Sequence, residues 1–183
     1  MTPLQKIAMG LVIIVIEARF GEGWDGLPNP LGWLLVLAGV RAAHGHVPNT
    51  GSLGGLAGLA LLISAVTYPP GVVDDLDPAA AWLLELPQLA FMVVLCFSLA
   101  SVLGRSGRWF KPLGWVLLAV GLGAAAAGQA QEEGDEAPPE VVAVATGWEI
   151  GRIALVTMLF MASNRPETGA EPRPVRPTSQ SAD

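Results

Sequence analysis

The sequence predicts an all-α, polytopic membrane protein, a bundle of six transmembrane helices with the N and C termini cytoplasmic. Three observations carry that expectation. Six apolar stretches follow one another along 183 residues, the loops between them alternate in charge sign, and 52% of the residues are hydrophobic against 14% charged. A soluble domain of this length needs a polar surface, whereas lipid covers apolar faces directly, and the mean hydropathy of +0.51 fits the second case.

The stretches run at about 4–20, 31–46, 53–68, 79–103, 112–129 and 140–161, most of them long enough to cross about 30 Å of hydrocarbon as helices. The first carries Lys6 near its start and closes on Glu17-Ala18-Arg19-Phe20. With no small-x-small cleavage pattern there, and five apolar segments to follow, it reads as a membrane helix and not as a removed secretory signal. Pro28 and Pro30 hold the chain extended before the second stretch, and Asp25 can cap or approach that helix's positive N-terminal end. The third holds Gly51 with Gly55 and Gly54 with Gly58, the fifth Gly121 with Ala125, and the sixth Gly147 with Gly151, small-xxx-small pairs that let backbones approach. In the fourth, Pro87 removes the N–H that the Leu83 carbonyl would accept, beside Glu85 and one turn from Gln88. Residues 164–183 hold four prolines among Ser, Thr and Arg with no apolar period, and read as a disordered cytoplasmic tail.

Orientation follows from charge. The first, third and fifth connections carry Glu22 and Asp25, then Asp74, Asp75 and Asp77, then Glu132, Glu133, Asp135, Glu136 and Glu140, with Arg19 the one base at their margin. The other two connections and both tails hold eight of the ten basic residues: Lys6, Arg41, Arg105, Arg108, Lys111, Arg165, Arg173 and Arg176. The positive side is cytoplasmic. The net charge of −6 is therefore mostly outer-loop charge, and the inner face is locally basic. Trp24, Trp33, Tyr68 and Trp82 fall near the outer interface and Trp109 and Trp115 near the inner one, as aromatic belts do. Arginine in place of lysine and abundant alanine and glycine point to a GC-rich bacterial genome and a bacterial plasma membrane. Cys96, the single cysteine, excludes an intrachain disulfide and reads as a packing residue.

The stretch Glu17-Ala18-Arg19, then Gly23-Trp24-Asp25-Gly26-Leu27-Pro28-Asn29-Pro30-Leu31-Gly32-Trp33, resembles a pattern of uncharacterised small multi-pass bacterial membrane proteins. That pattern is an acidic-x-Arg pair ending a first helix, followed by G-x-D-x-L-P-[DN], an aliphatic residue, Gly and Tyr or Trp. The resemblance covers about a tenth of the chain and implies a structural re-entry turn or a ligand-binding loop built on Asp25, Pro28, Asn29, Gly32 and Trp33. Glu17 and Asn29 both stand where the pattern usually has Asp. Pro30-Leu31-Gly32-Trp33 also recurs as Pro112-Leu113-Gly114-Trp115, which would make the two halves inverted repeats of three helices each.

Ionisable residues at membrane depth are the functional clue. Charges there cost several kcal/mol unless paired or hydrated, and so face the bundle interior. Glu17, Arg19, Glu85, Gln88, Glu149 and Arg152 form a candidate polar site in the outer half, with Glu149 and Arg152 spaced to touch on one helix face. Three acids against two guanidiniums leave one carboxylate to carry protons, and Glu85 has no evident cation in the sequence. Small-solute or proton-coupled transport is the leading expectation, an accessory or structural role in which these charges only fix helix packing the alternative, and an intramembrane enzyme the third. No cofactor, metal site or nucleic-acid interface is expected. His44-Gly45-His46 lacks a nearby carboxylate or thiol, Asp74-Asp75-Leu76-Asp77 lacks the glycine and distal glutamate of a calcium loop, and no phosphate-binding or hydrolase motif occurs. The expected partners are the lipid bilayer and a second copy or another membrane protein.

Overall fold

The first helix is started by its own side chains. The Gln5 N–H donates to Thr2 Oγ1 at 3.3 Å, the Thr2 N–H donates to Gln5 Oε1 at 3.0 Å, and Pro3 at the first helical position has no N–H to satisfy. From there the chain forms helices α1 (Pro3–Val15), α2 (Asn29–Ala42), α3 (Thr50–Thr67), α4 (Pro78–Leu103), α5 (Phe110–Gly128) and α6 (Pro139–Ala162). Two-residue strands β1 (Arg19–Phe20) and β2 (Trp24–Asp25) pair antiparallel between α1 and α2, with Arg19 opposite Asp25 and Phe20 opposite Trp24. This computed structural model describes residues 1–16, 19–20, 24–25, 29–69, 76–128 and 139–169. Glu17, Pro28, Asp74, Asp75, the acidic loop 132–136, the tail from 170 and the side chains of Arg19 and Asp25 lie outside the described residues.

The fold is all-helical in its packing, and the six apolar stretches become its six helices. Three of them, Thr50–Thr67, Ala80–Gly107 and Pro139–Ala162, are long and apolar enough to cross a membrane by length and composition. The largest boundary differences from expectation fall in the first two helices. Helix α1 stops at Val15, five residues short of Phe20, with Ile16 already extended at φ −84° and ψ 95°. Helix α2 runs from Asn29 to Ala42 where 31–46 was expected, and the turn that follows puts Gly45 at φ 84° and Asn49 at φ 59°. With 13 and 14 residues, α1 and α2 reach only about 20 Å each.

Each helix packs on its neighbours in sequence, and α6 closes the ring onto α1. One end of the ring gathers the start of α1, the end of α2 and the start of α3. There a Cβ on Gly39 would meet the Pro3 carbonyl oxygen at 2.9 Å, and Asn49 Nδ2 donates to Ser98 Oγ near the end of α4 at 3.3 Å. The core is apolar: Leu4, Ile7, Leu11, Leu95, Leu99 and Leu155 are buried around Phe91. Trp33 joins them at 2% exposure, edge-on to the Phe91 ring at 5.4 Å between centroids. It is a core residue, so its expected place in an outer aromatic belt is corrected. Trp115, its counterpart in the Pro-Leu-Gly-Trp recurrence, is exposed and meets Phe97 of α4. Gly32 packs on α1 and Gly114 on Cys96 of α4, so the recurrence repeats at its glycine and not at its tryptophan.

Close approach is concentrated where the sequence did not suggest it. A Cβ on Gly10 would lie 2.5 Å from the Gly32 carbonyl oxygen and 2.9 Å from the Val36 nitrogen, so α1 and α2 touch backbone to backbone. Gly51, Gly54, Gly55 and Gly58 of α3, expected to mark a packing face, meet nothing within 4 Å. Gly121 and Gly151 do pack: a Cβ added to either would lie 2.8 Å from a methyl carbon, of Leu89 and Leu117 respectively. The expected tail is also ordered at its start: residues 166–168 form a 3-10 turn, the Thr168 hydroxyl donates to the Arg165 carbonyl at 2.8 Å, and Thr168 is buried.

Candidate functional site

The end of α1 creates the first polar feature. A helix leaves its last carbonyls without internal partners and its C-terminus partially negative. The Ile16 N–H takes up the Val12 carbonyl, and Arg152 of α6 takes up that of Ile14, Nη2 donating at 3.2 Å. The same guanidinium donates through Nη1 to Glu149 Oε1 at 2.9 Å and stands 5.8 Å from the centroid of the Trp148 ring. Arg152 is 8% exposed while the Glu149 side chain is half exposed, and Arg152 Nε is buried with no hydrogen-bond partner. This is a tie between α1 and α6, made by a cation at a helix C-terminus.

The second feature lies where α2 begins. Asn29 and Trp33 of α2, Ser64 and Thr67 of α3, and Glu85 and Gln88 of α4 line a cleft of about 160 Å³. Asn29 Oδ1 is buried there with no hydrogen-bond partner, an acceptor in want of a donor. The Thr67 hydroxyl is occupied, donating to the Ile63 carbonyl at 3.0 Å. Pro87 stands buried within α4 between Glu85 and Gln88. Glu85 also borders a smaller cleft of about 60 Å³ on its other side, with Trp82, Leu89, Gly121 and Trp148. Glu85 is exposed and engaged in an interaction of its own, so it is not the partnerless carboxylate that the charge count suggested.

Of the six residues of the expected outer-half site, Glu17 and the Arg19 side chain lie outside the described residues, and the other four line two features. Glu149 and Arg152 pair at the α1–α6 seam, whereas Glu85 and Gln88 join the motif residues Asn29 and Trp33 at the α2–α3–α4 cleft. Gly32 serves packing against α1. The sequence reading missed Ile14, Ser64, Thr67 and Trp148. A backbone carbonyl has no sequence signature, and hydroxyls at the end of an apolar helix read as ordinary interface residues. Elsewhere His44 Nδ1 shares a hydrogen bond with Thr50 Oγ1 at 3.0 Å, and among the described residues no three His, Cys, Asp or Glu side chains gather as a metal site. Comparison of the chain with protein-family models, with curated proteins and with solved structures gives no match.

Proposed function

We propose that this chain is an integral protein of a bacterial plasma membrane, a six-helix bundle with both termini cytoplasmic, and that the Asn29–Glu85 cleft takes up a small polar solute for transport. The observation that carries the reading is the break between α1 and α2. Ile14 stands about 17 Å above Pro3 along α1, and Asn29 about 20 Å above Ala42 along α2. In a hydrocarbon layer of about 30 Å, α1 thus stops near mid-depth and α2 restarts well below the outer surface. Non-helical backbone at that depth is tolerated only where protein covers it or where it lines a water-filled cavity, and interrupted helices beside a polar site recur in transporters.

The supporting facts are of two kinds. Leu59, Leu62 and Val66 of α3 and Ile150 and Ile153 of α6 are exposed, an apolar outer surface that lipid would cover. The cleft is well below the about 300–1,000 Å³ of pockets for drug-sized ligands, so its occupant is a small molecule or ion with a donor for Asn29 Oδ1. Loop charge supports an orientation in which the cleft opens outward. The test replaces Cys96 by Ala and introduces Ser64→Cys or Thr67→Cys. An impermeant maleimide added to intact cells should label both positions, and failure to label either sinks an outward-facing cleft. Thermal melting of the purified protein against amines, amino acids, sugars and inorganic ions should then find a stabilising solute whose effect Asn29→Ala with Gln88→Ala removes.

One observation favours the accessory or structural reading for part of the molecule. Arg152 is committed to Glu149 and to the Ile14 carbonyl, a seam that fixes helix packing. Charge at membrane depth is thus divided between a tie and a cleft, and only the cleft bears on solute uptake.

A further inference from the structure

At the end of the ring opposite the cleft, we infer a second binding site: the groove between the α4–α5 turn and the end of α6 holds an anionic phospholipid. The inference rests on the membrane placement proposed above and is independent of the solute cleft. The groove measures about 430 Å³, and its lining includes Leu103, Trp109, Phe110, Met158, Met161 and Arg165. Leu103 and Phe110 are buried, whereas Trp109 and Met161 are 62% and 76% exposed, so the groove has an apolar floor and open apolar walls. Its polar lining is Ser106 and Arg165.

Charge complementarity names the occupant. Arg105, Arg108 and Lys111 lie on the same turn and the first turn of α5, exposed, with no acidic residue from 104 to 113, and Arg165 stands across the groove. Arg108 is stacked 5.3 Å from the Trp109 ring centroid, which keeps one cation against the groove wall. The one acid close in sequence is Glu167, two residues past Arg165, which leaves the rim net positive. A free phosphate would answer the cations and leave the apolar floor wet, and an uncharged chain would do the reverse. A phosphodiester head group carrying acyl chains satisfies both, and anionic lipid is what a basic juxtamembrane rim meets on the cytoplasmic leaflet. Met158 and Met161 suit a chain without fixed shape, because the unbranched thioether side chain adapts to irregular surfaces.

The test uses the full chain purified in a neutral detergent, melted with added dioleoylphosphatidylglycerol, dioleoylphosphatidylcholine or sodium phosphate. Phosphatidylglycerol should raise the melting temperature by roughly 5 °C more than phosphatidylcholine, and phosphate should do nothing. Arg108→Gln with Arg165→Gln should melt normally without lipid and lose that preference. Equal shifts from the two lipids, a shift reproduced by phosphate, or a preference kept by the double variant would each overturn the proposal. Should the variant not fold, native mass spectrometry of the wild type from micelles holding both lipids equally decides. Phosphatidylglycerol adducts in about threefold excess or more support the site, and equal adducts overturn it. Failure of the membrane reading is read separately, as release of the chain from membranes by alkaline carbonate.

Discussion

Arg152 is the residue on which most depends, because its buried hydrogen bond to the Ile14 carbonyl joins the end of α1 to α6. Its two bonds are unequal. Glu149 is half exposed, so the ion pair itself contributes about 1 kcal/mol or less after solvent screening. The bond to the Ile14 carbonyl is buried and charge-assisted, and losing it leaves an orphan acceptor at a cost of about 1.5–3 kcal/mol. Arg152→Ala should therefore destabilise by about 2–4 kcal/mol, and Glu149→Gln, which keeps an acceptor oxygen, by less than about 1 kcal/mol. The double variant should fall short of their sum. Unfolding in detergent reads all three. Equal losses from the single changes would mean that the Ile14 contact is not the anchor, and strict additivity that the pair does not interact. Arg152 and Glu149 were legible in the sequence as charges at depth with helical spacing. The carbonyl was not, because it becomes an acceptor only once α1 is known to end at Val15.

At the scale of the helix, the seam between α1 and α2 explains why glycine spacing misled. Small-xxx-small pairs state that a backbone could be approached, not that anything approaches it, and α3 has the pattern without the neighbour. The α1–α2 seam uses Gly10 from one helix and Gly32 and Gly39 from the other, so no single segment displays it. The contrast is measurable. Gly10→Ala and Gly32→Ala would press a methyl against backbone atoms that cannot move aside, costing about 1–3 kcal/mol each. Gly51→Ala and Gly55→Ala open onto free space and should fall within about 0.5 kcal/mol of the wild type. If the α3 changes prove the more damaging in thermal melts, that face is packed against another surface in the purified protein, such as a second copy. The end of α1 was illegible for a related reason: Ile16 and Phe20 keep the hydropathy high past the point where the backbone has already become extended. Conversely the capping box of Thr2 and Gln5 went unread in the sequence although its residue types are the usual ones, and the structure uses it.

For the whole molecule, the succession of six helices was legible because each apolar run is bounded by charge, proline or glycine. Which helices meet was not, and so neither was the convergence of Asn29 and Trp33 with Glu85 and Gln88, residues more than 50 positions apart. Orientation is open to direct measurement. Reporter fusions at the 44–48 turn, after Arg105 and after Gly169 should report cytoplasm, and fusions after Asp75 and Asp135 the outside. A tail reporting outside would overturn an even number of crossings. The ring is also uneven in height, with helices of about 20 Å on the α1–α2 side and about 39 Å at α4. On the membrane placement proposed above, a bilayer meeting such a rim cannot keep one thickness around it: lipids beside α1 and α2 are drawn down at a cost that grows with acyl length, and those beside α4 are stretched or met by tilt at a cost that falls with it. Reconstituted in phosphatidylcholines of increasing chain length, the protein should be most stable at an intermediate length and lose stability on either side, and a stability independent of chain length would overturn this reading. A molecule of this shape would carry its own thin patch of membrane with it, the two leaflets drawn closest together beside α1 and α2, where Asn29 opens the cleft.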